Sequence, residues 1–197
     1  GSALVSDLDL DEPVELTAHR AGSTYAPENS VAAIKQAIID RADWAEIDVQ
    51  LTSDKELVVM HDTDLARIGG GNRQVGDVTL EEIQKLDIGT MFNARFAGEK
   101  VPTFREVLTA ARGKVKLNVE LKPHGKRDEI QLAESVVAAI REAQMVGECR
   151  ICSQSFNAIQ SAKAMETSIP IGLIIATAIG DPTKLPVEFL MVKANLA

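Results

Sequence analysis

Cysteine is scarce: the 197 residues contain two, Cys149 and Cys152, spaced as Cys-Arg-Ile-Cys. No second pair exists to complete a zinc site. The run from Glu148 to Ser153 reads as a strand, where residues three apart face opposite sides, so both thiols are expected in or near the core. Long hydrophobic runs are also missing. The longest, Ile169 to Ile179, has eleven residues interrupted by Pro170, Gly172 and Thr177, whereas a spanning helix needs about 20. There is no basic excess: 21 Lys+Arg against 29 Asp+Glu leave a net charge of −8. That argues against a nucleic-acid partner, which favours a basic face. The N-terminus reads Gly1-Ser2-Ala3 and then turns acidic, so no signal peptide is expected. No repeat of about 20 to 50 residues is found. The cluster Gly69–Gly71 fits neither a dinucleotide fingerprint nor a phosphate loop and is read as a flexible surface loop.

What is there is an ordinary globular composition, 45% hydrophobic and 25% charged. One domain over residues 1–197 is expected, large enough for a core without disulfides. Strand and helix patterns alternate. Val14–Ala18 reads as a strand. Ser30–Arg41 has helical spacing at Val31, Ile34, Ala37 and Ile38. Ala42–Leu51 returns to a strand, and Leu57–Met60 is a third. A polar stretch over about 62–103 is read as an insertion after that third strand. Within and after it, Thr79 with Glu82 and Thr103 with Glu106 have capping-box spacing. Val115–Leu121, Cys149–Ser153, Ile171–Ile175 and Phe189–Val192 are further strands. Helices over Asp128–Met145, ended by Gly147, and Phe156–Glu166 separate them. Such alternation predicts an α/β protein with a parallel sheet covered by helices.

Polar residues at the strand ends select a barrel over an open sheet. The first strand delivers His19 and Arg20, the second Glu46 and Asp48, the third His61 and Asp62, the fourth Asn118, Glu120 and Lys122. Within the second and fourth strands the polar residues are two apart and share a face. Functional groups at the C-terminal ends of several parallel strands are the TIM (β/α)8 arrangement. Three acids converge there, Glu46, Asp48 and Glu120, and cannot all stay ionised in a buried site without a cation. Oxygen ligands favour Mg²⁺, Ca²⁺ or Mn²⁺. The alternative is that the acids are exposed or paired with Arg20 and Lys122; two such acidic faces beside basic groups favour the metal. His19 and His61 fit a general base and a general acid. Arg20 and Lys122 supply positive charge for a phosphate. His124, in a polar turn, is read as surface.

These residues resemble the glycerophosphodiester phosphodiesterase family. The resemblance runs through His19-Arg20 with Ala26-Pro-Glu-Asn-Ser30, Glu46-Ile-Asp-Val-Gln-Leu-Thr52, Val58-Val-Met-His-Asp62, Arg67, Leu86-Asp-Ile-Gly89, Val101-Pro-Thr103 and Asn118-Val-Glu-Leu-Lys122. Two small departures are expected to be tolerated: Ala21-Gly22 where the family has Gly first, and Ser30 for Thr. The family fold is a barrel of about 250 residues. This chain reaches about the seventh strand, so the last strand is expected to be missing. The open edges would need covering by a second copy or a further C-terminal segment.

The resemblance implies hydrolysis of glycerophosphodiesters to sn-glycerol 3-phosphate and an alcohol. Glu46, Asp48 and Glu120 would hold one divalent cation, Mg²⁺ or Ca²⁺. Arg20 and Lys122 would bind the phosphate, and His19 and His61 would divide the base and acid roles. Two other readings stand beside it. One is a phospholipase D-like or lysophospholipase D-like enzyme acting on lipids, for which the apolar segment Met91–Phe96 is the candidate contact. The other is a catalytically inactive ligand-binding domain. Free thiols suit a reducing compartment, so a cytoplasmic setting is expected. The Ala-rich style is also similar to family domains attached to membrane regions.

Overall fold

The computed structural model describes residues 15–175 and 186–192. Val14, residues 176–179 of the longest apolar run and residues 193–197 lie outside them. The chain order is β1 (Thr17–Ala18), α1 (Val31–Ile39), β2 (Trp44–Leu51), β3 (Leu57–Val59), β4 (Asp64–Leu65), β5 (Gly71–Gln74) and α2 (Leu80–Ile83). It continues with α3 (Phe104–Ala111), β6 (Lys116–Leu121), α4 (Lys126–Glu142), β7 (Cys149–Ser153), α5 (Phe156–Met165), β8 (Ile171–Ile175) and β9 (Phe189–Val192). Among the described residues no helix is long and apolar enough to cross a membrane.

The main sheet runs β1-β2-β6-β7-β8-β9 in sequence order, every neighbour parallel. A doubly wound sheet would reverse its order at a switch point. This one never does, which is the winding of a TIM-type barrel.

β3 departs from expectation. It pairs antiparallel with β2, Val49 opposite Val59 and Leu51 opposite Leu57, and lies off the parallel run. Only residues 52–56 separate the two strands, and a parallel crossover needs about a dozen residues. Left-handed Lys55 (φ 64°) tightens that turn, and the Thr52 amide donates to the Glu56 carbonyl at 3.0 Å. Phe189–Val192, counted seventh from the sequence, is therefore sixth in the parallel run among the described residues.

Both faces of β2 are buried. Ala45, Ile47, Val49 and Leu51 join Leu117, Val119 and Leu121 of β6 in the core beneath the helices. Helix α3 adds Phe104, Val107 and Leu108, all within 1% of full burial. Its capping box is formed: Thr103 Oγ1 accepts from the Glu106 amide at 3.2 Å, and the Glu106 carboxylate accepts from the Thr103 amide at 2.7 Å. The box at Thr79 and Glu82 forms too. Helix α4 ends before Gly147, because Gln144 takes the left-handed position (φ 57°) that closes it. A smaller cluster, with Val58, Met60, Leu65, Val75 and Ile83, sits under residues 57–101. Gly69–Gly71 is not simply a loop: Gly71 opens β5, which pairs antiparallel with β4.

Candidate active site

The alternation of β2 and β6 builds the floor of the site. Glu46 lies opposite Asn118 and Asp48 opposite Glu120, so their side chains share the face away from the helices. Glu46, Asp48 and Glu120 are all buried, and one carboxylate oxygen from each lies within 4.8 Å of the other two. Burial, and then the charge of Asp48, push the Glu46 carboxyl above its usual range. Asp48 Oδ2 accepts from the Asn29 amide at 2.9 Å, whereas Asp48 Oδ1 is buried without a hydrogen-bond partner among the described residues. A buried carboxylate oxygen in that state favours a cation. The donor set, all oxygen, fits Mg²⁺ or Ca²⁺ better than zinc.

The loop after β1 supplies the wall. His19, Arg20 and Ala21 form one 3₁₀ turn in which Arg20 (φ 47°) and Ala21 (φ 59°) are left-handed. That backbone turns the Arg20 amide onto Glu46 Oε2 at 2.9 Å. His19 Nε2 stands 3.8 Å from the same oxygen and is largely exposed. Ala21 thus carries a methyl where the chain bends left-handed, at a buried position. Ser30 serves where Thr was expected: its hydroxyl accepts from the Ala33 amide at 3.0 Å and caps α1.

Antiparallel β3 brings the remaining groups. The Met60 amide donates to the Asp48 carbonyl at 2.9 Å, so His61 arrives beside the acids from the opposite direction to the other strands. Gln50 pins this approach, donating to the carbonyls of Met60 and Asp62. Lys122 Nζ donates to the His61 carbonyl. His61 Nε2 faces Arg20 Nη2 at 2.9 Å, and His61 Nδ1 faces Asp62 Oδ1 at 2.9 Å. A cavity of about 310 Å³ opens beside His61 and Arg67, with apolar walls that include Met60, Ile68, Ile88, Met91 and Phe92.

The seven residues singled out from the sequence thus stand in one neighbourhood. The structure adds Glu28, Asn29, Gln50 and Arg67, to which the sequence gave no role, and it gives Asp62, expected only as a polar group at a strand end, a partner in His61. Hydrogen bonds and charge from Arg67 and His61 outweigh burial and bring the Asp62 carboxyl down to about 2. Burial raises Glu28, but bonds from Arg67 and Arg20 carry it below its usual range. The two cysteines are buried and unpaired with each other. Cys149 packs in the helix-side core. Cys152 lies opposite Glu120, and burial followed by the charges of Glu120, Glu46 and Asp48 keeps its thiol protonated.

Residues 19–194 match the Glycerophosphoryl diester phosphodiesterase family. The chain belongs to that family. YhdW of Bacillus subtilis is 38% identical over 159 residues, which is 81% of this chain and 65% of that protein. A glycerophosphodiester phosphodiesterase of Caldanaerobacter subterraneus is 40% identical over 168 residues, 84% of this chain and 68% of its own length. The structure is similar to that of an Oleispira antarctica phosphodiesterase in complex with the product sn-glycerol-3-phosphate. The TM-score is 0.77 at 28% identity, over 83% of this chain and 67% of the other. The chain therefore spans about two thirds of the length of these family members.

Proposed function

We propose that this chain carries the machinery for metal-dependent hydrolysis of glycerophosphodiesters to sn-glycerol 3-phosphate and an alcohol. The observation that carries the reading is the buried triad Glu46, Asp48 and Glu120, within 4.8 Å and flanked by Arg20 and His61. These carboxylates would hold one Mg²⁺ or Ca²⁺. Such a cation, when bound, supplies charge stabilisation at a phosphoryl oxygen.

The side chains do the rest. Arg20 and Lys122 offer fixed positive charge to the phosphate oxygens, where charge builds in the transition state. Asp62 holds a proton on His61 Nδ1, which leaves Nε2 as the exchanging nitrogen. His19 and His61 divide two tasks: removing a proton from the attacking oxygen and delivering one to the departing alkoxide. Burial of the floor keeps bulk water from weakening these interactions.

A second reading is favoured by the apolar cavity beside His61. Met91 and Phe92 are exposed at its rim, where they would meet an acyl chain on the glycerol half of a lysophospholipid, the released alcohol staying a small head group. Parallel turnover of glycerophosphocholine and lysophosphatidylcholine separates the two. Choline release and glycerol 3-phosphate production are followed for wild type and Glu120→Gln. Faster turnover of the small diester, lost in Glu120→Gln, supports the first reading; preference for the lipid supports the second. The buried, protonated thiols suit the cytoplasmic setting we propose.

A further inference from the structure

Five side chains close a hydrogen-bonded ring beside the carboxylate triad. Arg20 Nη1 donates to Glu28 Oε2 at 2.8 Å, and Arg20 Nη2 to His61 Nε2 at 2.9 Å. His61 Nδ1 meets Asp62 Oδ1 at 2.9 Å. Arg67 completes the circuit: its Nε donates to Asp62 Oδ2 at 2.8 Å and its Nη2 to Glu28 Oε1. Each carboxylate thus gives one oxygen to Arg67 and the other to a residue of the proposed chemistry.

Donor and acceptor rules fix the imidazole. A guanidinium only donates, so His61 Nε2 must accept; a carboxylate only accepts, so Nδ1 must carry the proton. With neutral His61, two guanidinium and two carboxylate charges cancel within the ring. Arg67 itself sits in the 3₁₀ turn Ala66–Ile68, closed by left-handed Gly69. Asp64 Oδ1 anchors that turn by accepting from the Ala66 amide at 3.0 Å. An isolated ion pair on an exposed arginine would contribute little. Here the planar fork spans two carboxylates from separate loops, a geometry an ammonium cannot reproduce.

We propose that Arg67 is a positioning residue: by binding Asp62 and Glu28 at once, it fixes the tautomer and orientation of His61 and the aim of Arg20. The inference rests on the phosphodiesterase reading only for the chemistry that His61 and Arg20 perform. The ring geometry stands apart from it.

The test uses the full chain labelled with ¹⁵N-histidine, at a pH where His61 is neutral, with and without Mg²⁺. Loss of a signal in His61→Gln assigns the resonances. Wild type is expected to show His61 as the Nδ1–H tautomer. Arg67→Met and Arg67→Lys are both expected to show a tautomer mixture, with the two nitrogen shifts drawn together. On glycerophosphocholine both variants are expected to lose about 10- to 100-fold in kcat, as when partners that orient a working side chain are removed. KM should change by less than about threefold. His61 shifts that match wild type in both variants overturn the proposal, whatever the turnover. A tautomer response in a protein whose wild type does not turn over would keep Arg67 in its role and overturn the reaction instead.

Discussion

Asn29 and Asp48 hold each other in both directions. The Asn29 side-chain amide donates to Asp48 Oδ2 at 2.9 Å, and the Asp48 backbone amide donates to Asn29 Oδ1 at 3.1 Å. Asn29 is left-handed (φ 56°), a conformation asparagine tolerates better than most residues. The loop after β1 is thereby locked to β2, and Asp48 Oδ1 stays buried with no hydrogen-bond partner among the described residues. Asn29→Gly keeps the backbone conformation and removes the amide. Cation affinity is expected to fall about 10- to 100-fold, as for lost outer-shell partners. Calorimetric titration with Mg²⁺ or Ca²⁺ reads this directly.

Asp62 makes stability depend on acid in a defined direction. Its carboxyl sits at about 2 in the fold against an ordinary 3.8. A depressed carboxyl contributes stability above its unfolded value and loses it as pH falls through the folded value. Asp62→Asn should therefore be less stable than wild type by about 1 kcal/mol above pH ~4, allowing for partial exposure. The gap should narrow between about pH 4 and pH 2. Urea midpoints across that range check it.

The bend at Ala21 costs little in total. Left-handed strain of about 1–2 kcal/mol opposes the about 0.8 kcal/mol gained by burying its methyl and the entropy glycine would lose on folding. Ala21→Gly is expected to shift the thermal midpoint by no more than about 4 °C. Ala21→Val puts a β-branched residue in the same left-handed, buried position. It should destabilise by about 2 kcal/mol or more. Calorimetry of both variants distinguishes a balanced bend from one that only alanine fits.

The floor of the site was legible because a strand has a strict period of two. Glu46, Asp48 and Glu120 declare one face as soon as Ile47, Val49, Val119 and Leu121 declare the other. Capping boxes at Thr79 and Thr103 were legible for a similar reason, since their partners are three residues away. The direction of β3 was not, because Leu57–Met60 reads alike in either direction. The five-residue turn before it was the available signal. The members of the ring through Arg67 stood among the residues of the family resemblance, but nothing in their spacing declared that they meet. Arg67 and Glu28 are 39 positions apart, and only the fold brings two charged loops onto one imidazole.

Glycerol 3-phosphate release from glycerophosphocholine decides whether the acidic triad and His61 work as a metal-dependent phosphodiesterase. The assay compares wild type and His61→Ala after chelation and again with Mg²⁺ or Ca²⁺ restored. No release is expected after chelation, with recovery once the cation is restored. His61→Ala is expected to lose about 10²-fold or more in turnover, with cation binding retained. Release that survives chelation, equal release by His61→Ala, or a folded and cation-binding wild type without turnover would each contradict this reading.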